Sequence, residues 1–142
     1  MSLEDVKRQF VEQVKLRAYD DKYIDKNEER EILQIALTQG VTVDSARAAL
    51  AQVCEAQNYV LESRALANVK EVIETFAGND GHIDEKEFKD AVTTMHKQTQ
   101  GKKNDIQCKR MVIEIMEENS YKVKTGFFSN WYARVKKEVG MA

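Results

Sequence analysis

"DGHIDEKE" (residues 80–87) and "DKYIDKNE" (residues 21–28) share the pattern D-x-x-I-D-x-x-E, 59 residues apart. Two further pairs follow in the same order. "TQGVTVD" (38–44) and "TQGKKND" (99–105) share T-Q-G-x-x-x-D at a separation of 61. "EAQNYVLES" (55–63) and "EENSYKVKT" (117–125) align at a separation of 62. Three matches in one order with nearly constant offsets indicate two copies of one unit, repeat one about 1–62 and repeat two about 63–142.

Each copy reads as helices. Ser2 is placed to cap a first helix with Val6, Phe10 and Val14 on one face, and Asp25 to cap a second with Ile32, Ile35 and Ala36. Gly40 stops that helix, and a third runs from about Val43 to Ala56. In the second copy Ser63 is the expected cap of a helix carrying Leu66, Val69, Ile73 and Phe76. Asp84 is expected to cap the next, carrying Phe88, Ala91, Val92 and Met95. A helix with Val112, Ile115 and Met116 follows, then a last one from near Thr125 with Phe128, Trp131, Val135 and Val139. "YVL" (59–61) and "YKV" (121–123) are short and extended, as brief strands or turns. The expectation is an all-α single domain over 1–142 with seven helices.

The bulk numbers fit. A chain of 142 residues can bury a proper core, and its lack of proline suits uninterrupted helices. No apolar run approaches the roughly 20 residues that span a bilayer, so the chain is not expected to be transmembrane. The start "MSLEDVKRQF" has neither the basic nor the apolar part of a secretory signal, which points to the cytoplasm. Cys54 and Cys108 stand alone, outside any metal spacing, and read as buried small hydrophobes, with a disulfide between them left open. Residues 1–96 carry 12 basic against 19 acidic residues, and residues 97–142 carry 10 against 5. The basic end has the charge to attract an anionic partner.

The acidic segments admit two readings. Asp80, Asp84 and Glu87 could offer carboxylates to Ca²⁺ or another divalent cation, with Gly81 allowing the turn. Asp21, Asp25 and Glu28 form the corresponding set, with Lys22 in the glycine's place. The alternative is a capping box, in which the Asp accepts from the backbone N–H at N3 and the Glu reaches back. Capping accounts for Asp84 and Glu87 but not for Asp80, which is expected outside the helix.

These residues carry a family resemblance. "LRAYDDKYIDKNEEREILQIALTQGVTVDSARAAL" (16–50) resembles a repeat unit of the TerB-like, tellurite-resistance-associated helical proteins, through Ala18, Asp21, Ile24, Asp25, Glu28, Ile32, Ala36, Gly40, Ala46 and Leu50. The second copy resembles it through Ala77, Asp80, Gly81, Ile83, Asp84 and Glu87. The resemblance implies a duplicated all-helical domain with acidic clusters that bind a divalent metal. It further implies non-enzymatic work in stress-response or membrane-associated assemblies, peripheral to the membrane. An EF-hand-like calcium sensor is the competing likeness. Arg17, Tyr19, Phe76 and Gly78, standing where a twelve-residue loop needs oxygen ligands, depart from it.

No catalytic motif is present: His82 and His96 are the only histidines, and there is no phosphate loop or nucleophile elbow. The expectation is a non-enzyme. "TGFFSNWYARVKKEV" (125–139) sets aromatics beside basic residues. Phe127, Tyr132, Arg134, Lys136 and Lys137 are therefore candidates for binding another protein. Nucleic acid and an anionic membrane surface are the other partners this chemistry suits.

Overall fold

Capping boxes start four of the helices in the computed structural model, which describes residues 2–126 and 130–142, apart from the side chains of Asn79 and Asp80. The elements run α1 (Leu3–Arg17), β1 (Tyr23–Ile24), α2 (Lys26–Leu37), α3 (Val43–Gln57) and β2 (Val60–Leu61). They continue with α4 (Glu62–Asp80), β3 (His82–Ile83), α5 (Glu85–Gln98), α6 (Asp105–Glu118), β4 (Lys122–Val123) and α7 (Trp131–Glu138). The fold is all-α, with strands only two residues long. Among the described residues no helix is long and apolar enough to cross a membrane.

The chain divides into two compact units, Met1–Arg64 and Ala65–Ala142. In the first, Val6, Phe10 and Val14 of α1 pack with Ile32 and Ala36 of α2 and with Ala46, Leu50 and Val53 of α3. In the second, Val69 and Ile73 of α4 pack with Phe88, Val92 and Met95 of α5, with Val112 and Met116 of α6, and with Trp131. Burying each such aliphatic or aromatic side chain stabilises the fold by about 1.5–3 kcal/mol. These cores, rather than intrinsic propensity, hold helices of 8–19 residues.

Both units follow one order of elements: helix, two-residue strand, capped helix, capped helix, two-residue strand. The strands pair in parallel, Tyr23 with Val60 and Ile24 with Leu61 in the first unit. His82 pairs with Lys122 and Ile83 with Val123 in the second, at the same register once the 59- and 62-residue offsets are applied. Left-handed backbone positions coincide too. Lys22 (φ 54°) matches Gly81 (φ 79°), Gly40 (φ 82°) matches Gly101 (φ 72°), and Asn58 (φ 59°) matches Ser120 (φ 55°). Lys22 therefore holds the turn that glycine holds in the other unit, against the steric cost of its Cβ. The second unit alone has a further helix, α7.

Several boundaries differ from the sequence reading. Ser63 does not cap α4; it lies in the helix's first turn, and its hydroxyl donates to Glu29 Oε1 at 3.0 Å. Asp80 lies outside α5, the helix that Asp84 caps, as expected, and is the last residue of α4. The last helix starts at Trp131, capped by Asn130, not near Thr125. Phe127 and Phe128 lie outside the described residues. Cys54 and Cys108 are free thiols, each buried in its own unit's core. Burial pushes the Cys54 thiol up to about 12, with the Glu29 charge adding to the effect, so it is an inert core group.

Candidate functional site

The acidic junctions are built from the capping boxes. Asp84 Oδ1 accepts from the Glu87 amide at 2.7 Å, and Glu87 Oε1 accepts from the Asp84 amide at 3.0 Å. Asp25 and Glu28 do the same at 2.8 and 3.1 Å. Asp21 Oδ1 accepts from the Tyr23 amide at 3.1 Å, closing a turn onto β1. One oxygen of each of these carboxylates is thus committed to a backbone N–H. Among the described residues no group of three His, Cys, Asp or Glu side chains is arranged to hold a metal ion. Asp80, the carboxylate that capping leaves over, has its side chain outside the described residues.

The three acids of the first junction do feel one another. Burial raises the Glu28 pKa first, and the charges of Asp25 and Asp21 raise it further, against the Asp25 amide and the Arg17 guanidinium. Arg17 also pairs with Glu31, so a cation already stands beside this cluster. Removing the cap oxygen leaves an orphan N–H at the helix start. Asp25→Ala and Asp84→Ala are each expected to lower stability by about 1 kcal/mol, read from urea unfolding.

The basic-aromatic helix α7 is turned inward. Trp131 is buried, its ring centroid 5.3 Å from that of Phe88, and its Nε1–H donates to the Lys124 carbonyl at 2.9 Å. Tyr132, a candidate for partner binding, is half-buried against the core. Burial and the neighbouring Glu117 push its hydroxyl up to about 12. Lys136 pairs with Glu117 at 2.6 Å and lies 5.6 Å from the Tyr132 ring centroid. Arg134 reaches Glu85 of α5 at 3.4 Å, and Glu138 meets Lys109 of α6 at 2.9 Å. Of the proposed partner-binding residues, Arg134 and Lys136 thus have partners within their own unit, and Lys137 is exposed.

One surface escaped the sequence reading. A groove of about 390 Å³ runs along α2 and the start of α3. Lys26, Arg30 and Arg47 line it over an apolar floor that includes Leu33, Leu37 and Val43. None of the three cations has an ion pair among the described residues. Lys26 and Arg30 stand four apart on α2, where like charges repel. Glu29, only 8% exposed, is the buried acid at the groove's base, held by Ser63. The sequence signals that the second unit has one helix more than the first, but not which face that helix covers.

Comparison with protein-family models, with curated proteins and with solved structures found no match to the chain.

Proposed function

We propose that the protein is a non-enzymatic helical adaptor that binds another protein, and that its acidic junctions are structural caps. The observation that carries this reading is the closure of both junction capping boxes by both of their hydrogen bonds. A carboxylate that holds a helix start has work without a metal, and the junction also positions the strand that staples each unit. The open groove on α2 and α3 supplies a surface suited to a partner, and the inward-facing aromatics of α7 leave that helix a packing role.

A second reading, the divalent-cation module of the TerB-like or EF-hand-like kind, draws on the first junction. There Asp21, Asp25 and Glu28 lie close enough for their charges to raise the Glu28 pKa. One pair of measurements separates the two. In titration calorimetry with Ca²⁺, Mg²⁺ and Zn²⁺, the cap reading expects no saturable heat and an unchanged melting temperature at millimolar metal. Glu28→Gln keeps the oxygen that accepts from the Asp25 amide and removes the charge. Because Glu28's pKa is raised on folding, the native state holds its proton more tightly than the unfolded chain. Its ionised form therefore weakens stability as pH rises through that window. The cap reading expects this variant to melt at the same or a higher temperature at neutral pH. Saturable metal binding that Glu28→Gln abolishes would favour the cation module.

A further inference from the structure

The two units bury different numbers of helices in the same plan, and the difference falls on one face. In the second unit α7 lies across α5 and α6, with Trp131 on Phe88, Arg134 on Glu85 and Glu138 on Lys109. By the 59- and 62-residue offsets, Phe88, Glu85 and Lys109 correspond to Glu29, Lys26 and Arg47 in the first unit. Those three residues line the groove on α2 and α3. In the first unit only the first turn of α4 reaches this face, where Ser63 donates to Glu29 and lines one end of the groove. The segment after β2 becomes α4, whose Val69 and Ile73 belong to the second unit's core. Beyond that turn, the part of the groove lined by Lys26, Arg30 and Arg47 is open where α7 covers Glu85 and Lys109 in the second unit.

The charges say what kind of helix fits. Where α7 sets Arg134 against Glu85, the first unit presents Lys26, and Arg30 stands one turn further along. In the second unit the matching pair is Glu85 and Lys89, which neutralise each other at 3.8 Å. In the first unit the pair is cation with cation. A carboxylate at the Arg134 position of an incoming helix would answer both. A second carboxylate at the Glu138 position would meet Arg47, as Glu138 meets Lys109.

Resting on the adaptor reading, we propose that the α2–α3 groove receives an amphipathic helix of a partner protein, seated as α7 is seated on α5 and α6. That helix carries two carboxylates four positions apart, at the places that Arg134 and Glu138 hold in α7, on the face turned to the groove. A second copy's own α7 is a poor occupant, because its Arg134 would face Lys26.

The test uses the full chain and two labelled peptides of the sequence 130–142, one unaltered and one carrying Arg134→Glu. Fluorescence anisotropy is read at low salt, with EDTA and again with Ca²⁺. The Arg134→Glu peptide is expected to bind about tenfold more tightly than the unaltered one, and added salt to weaken it. Lys26→Glu in the protein, which installs the acid that the second unit has at Glu85, is expected to reverse that preference. Arg47→Glu is expected to weaken both peptides. Equal binding of the two peptides, no binding of either at millimolar concentration, or a preference untouched by Lys26→Glu would overturn the proposal. So would tighter binding of the unaltered peptide, which would indicate exchange of α7 between copies. Binding to phosphatidylserine vesicles through Lys26, Arg30 and Arg47 with none to the peptides would overturn it in favour of a membrane surface. Binding that needs Ca²⁺ would support the groove's occupant and count against the metal-free reading of the junctions.

Discussion

Trp131→Ala is expected to lower the stability of the second unit by about 3–5 kcal/mol. Trp131 is 2% exposed, and it packs against Phe88 and edge-on to Tyr132 at 5.6 Å between centroids. Truncation removes the ring from both aromatic contacts and leaves a cavity that the short helix α7 cannot close. It also removes the indole N–H that donates to the Lys124 carbonyl. Trp131→Phe separates the two effects. It keeps an aromatic body and loses the N–H, so most of its cost should be the lost hydrogen bond, about 1 kcal/mol, with a smaller packing term. Trp131 is the sole tryptophan, so unfolding of these variants is followed by far-ultraviolet circular dichroism in urea. A loss under about 1 kcal/mol for the alanine variant would mean that α7 is not an integral layer of this core.

Phe10→Ala is expected to cost the first unit a similar amount, about 3–5 kcal/mol. Phe10 is fully buried on α1, with Val6 and Val14 on the same face. Its counterpart on α4 is Val69, while the second unit's own large ring on this plan is Phe88 of α5, where the first unit has Glu29. Among the described residues, the fully buried phenylalanine of each unit thus comes from a different helix. Losing Phe10 leaves the first unit with no other phenylalanine in its core. The native emission of Trp131, which packs in the other core, should stay as in the parent protein while the urea midpoint falls. An emission shift in the native variant would show that the two cores respond together.

The helices were legible because their signals are local. Ser2, Asp25 and Asp84 were each expected to cap a helix, and each does, with its partner three residues on. The short strands at "YVL" and "YKV" were legible as extended segments. Their partners were not, since pairing 23–24 with 60–61 depends on the path of two intervening helices. Ser63 misled because serine before an apolar run imitates a cap, whereas here β2 passes directly into the helix and the hydroxyl serves Glu29. Trp131 and Val135 were expected on the inner face of α7 and pack there, whereas Tyr132, Arg134 and Lys136 were candidates for a binding face because sequence does not show what lies beside a helix. Glu85, Glu117 and Phe88, from two other helices, turned that face inward. The groove went unseen for the complementary reason. Lys26, Arg30 and Arg47 are ordinary surface cations in sequence, and only the folded α2 and α3 bring them to one groove.

The two-residue bridges carry a consequence for how such a chain can change. Each one clasps the residue pair before a helical hairpin to the pair after it, so residues 25–59 and 84–121 enter and leave their units at one fixed point. A segment held that way behaves as a cartridge. Exchanging one for the other would keep the clasp's register and its caps while replacing the whole outer face, Lys26 by Glu85 and Arg47 by Lys109 together. Such an exchange would also replace part of each core, since the hairpins bring Ile32, Ala36, Leu50 and Val53 to the first unit and Phe88, Val92, Val112 and Met116 to the second.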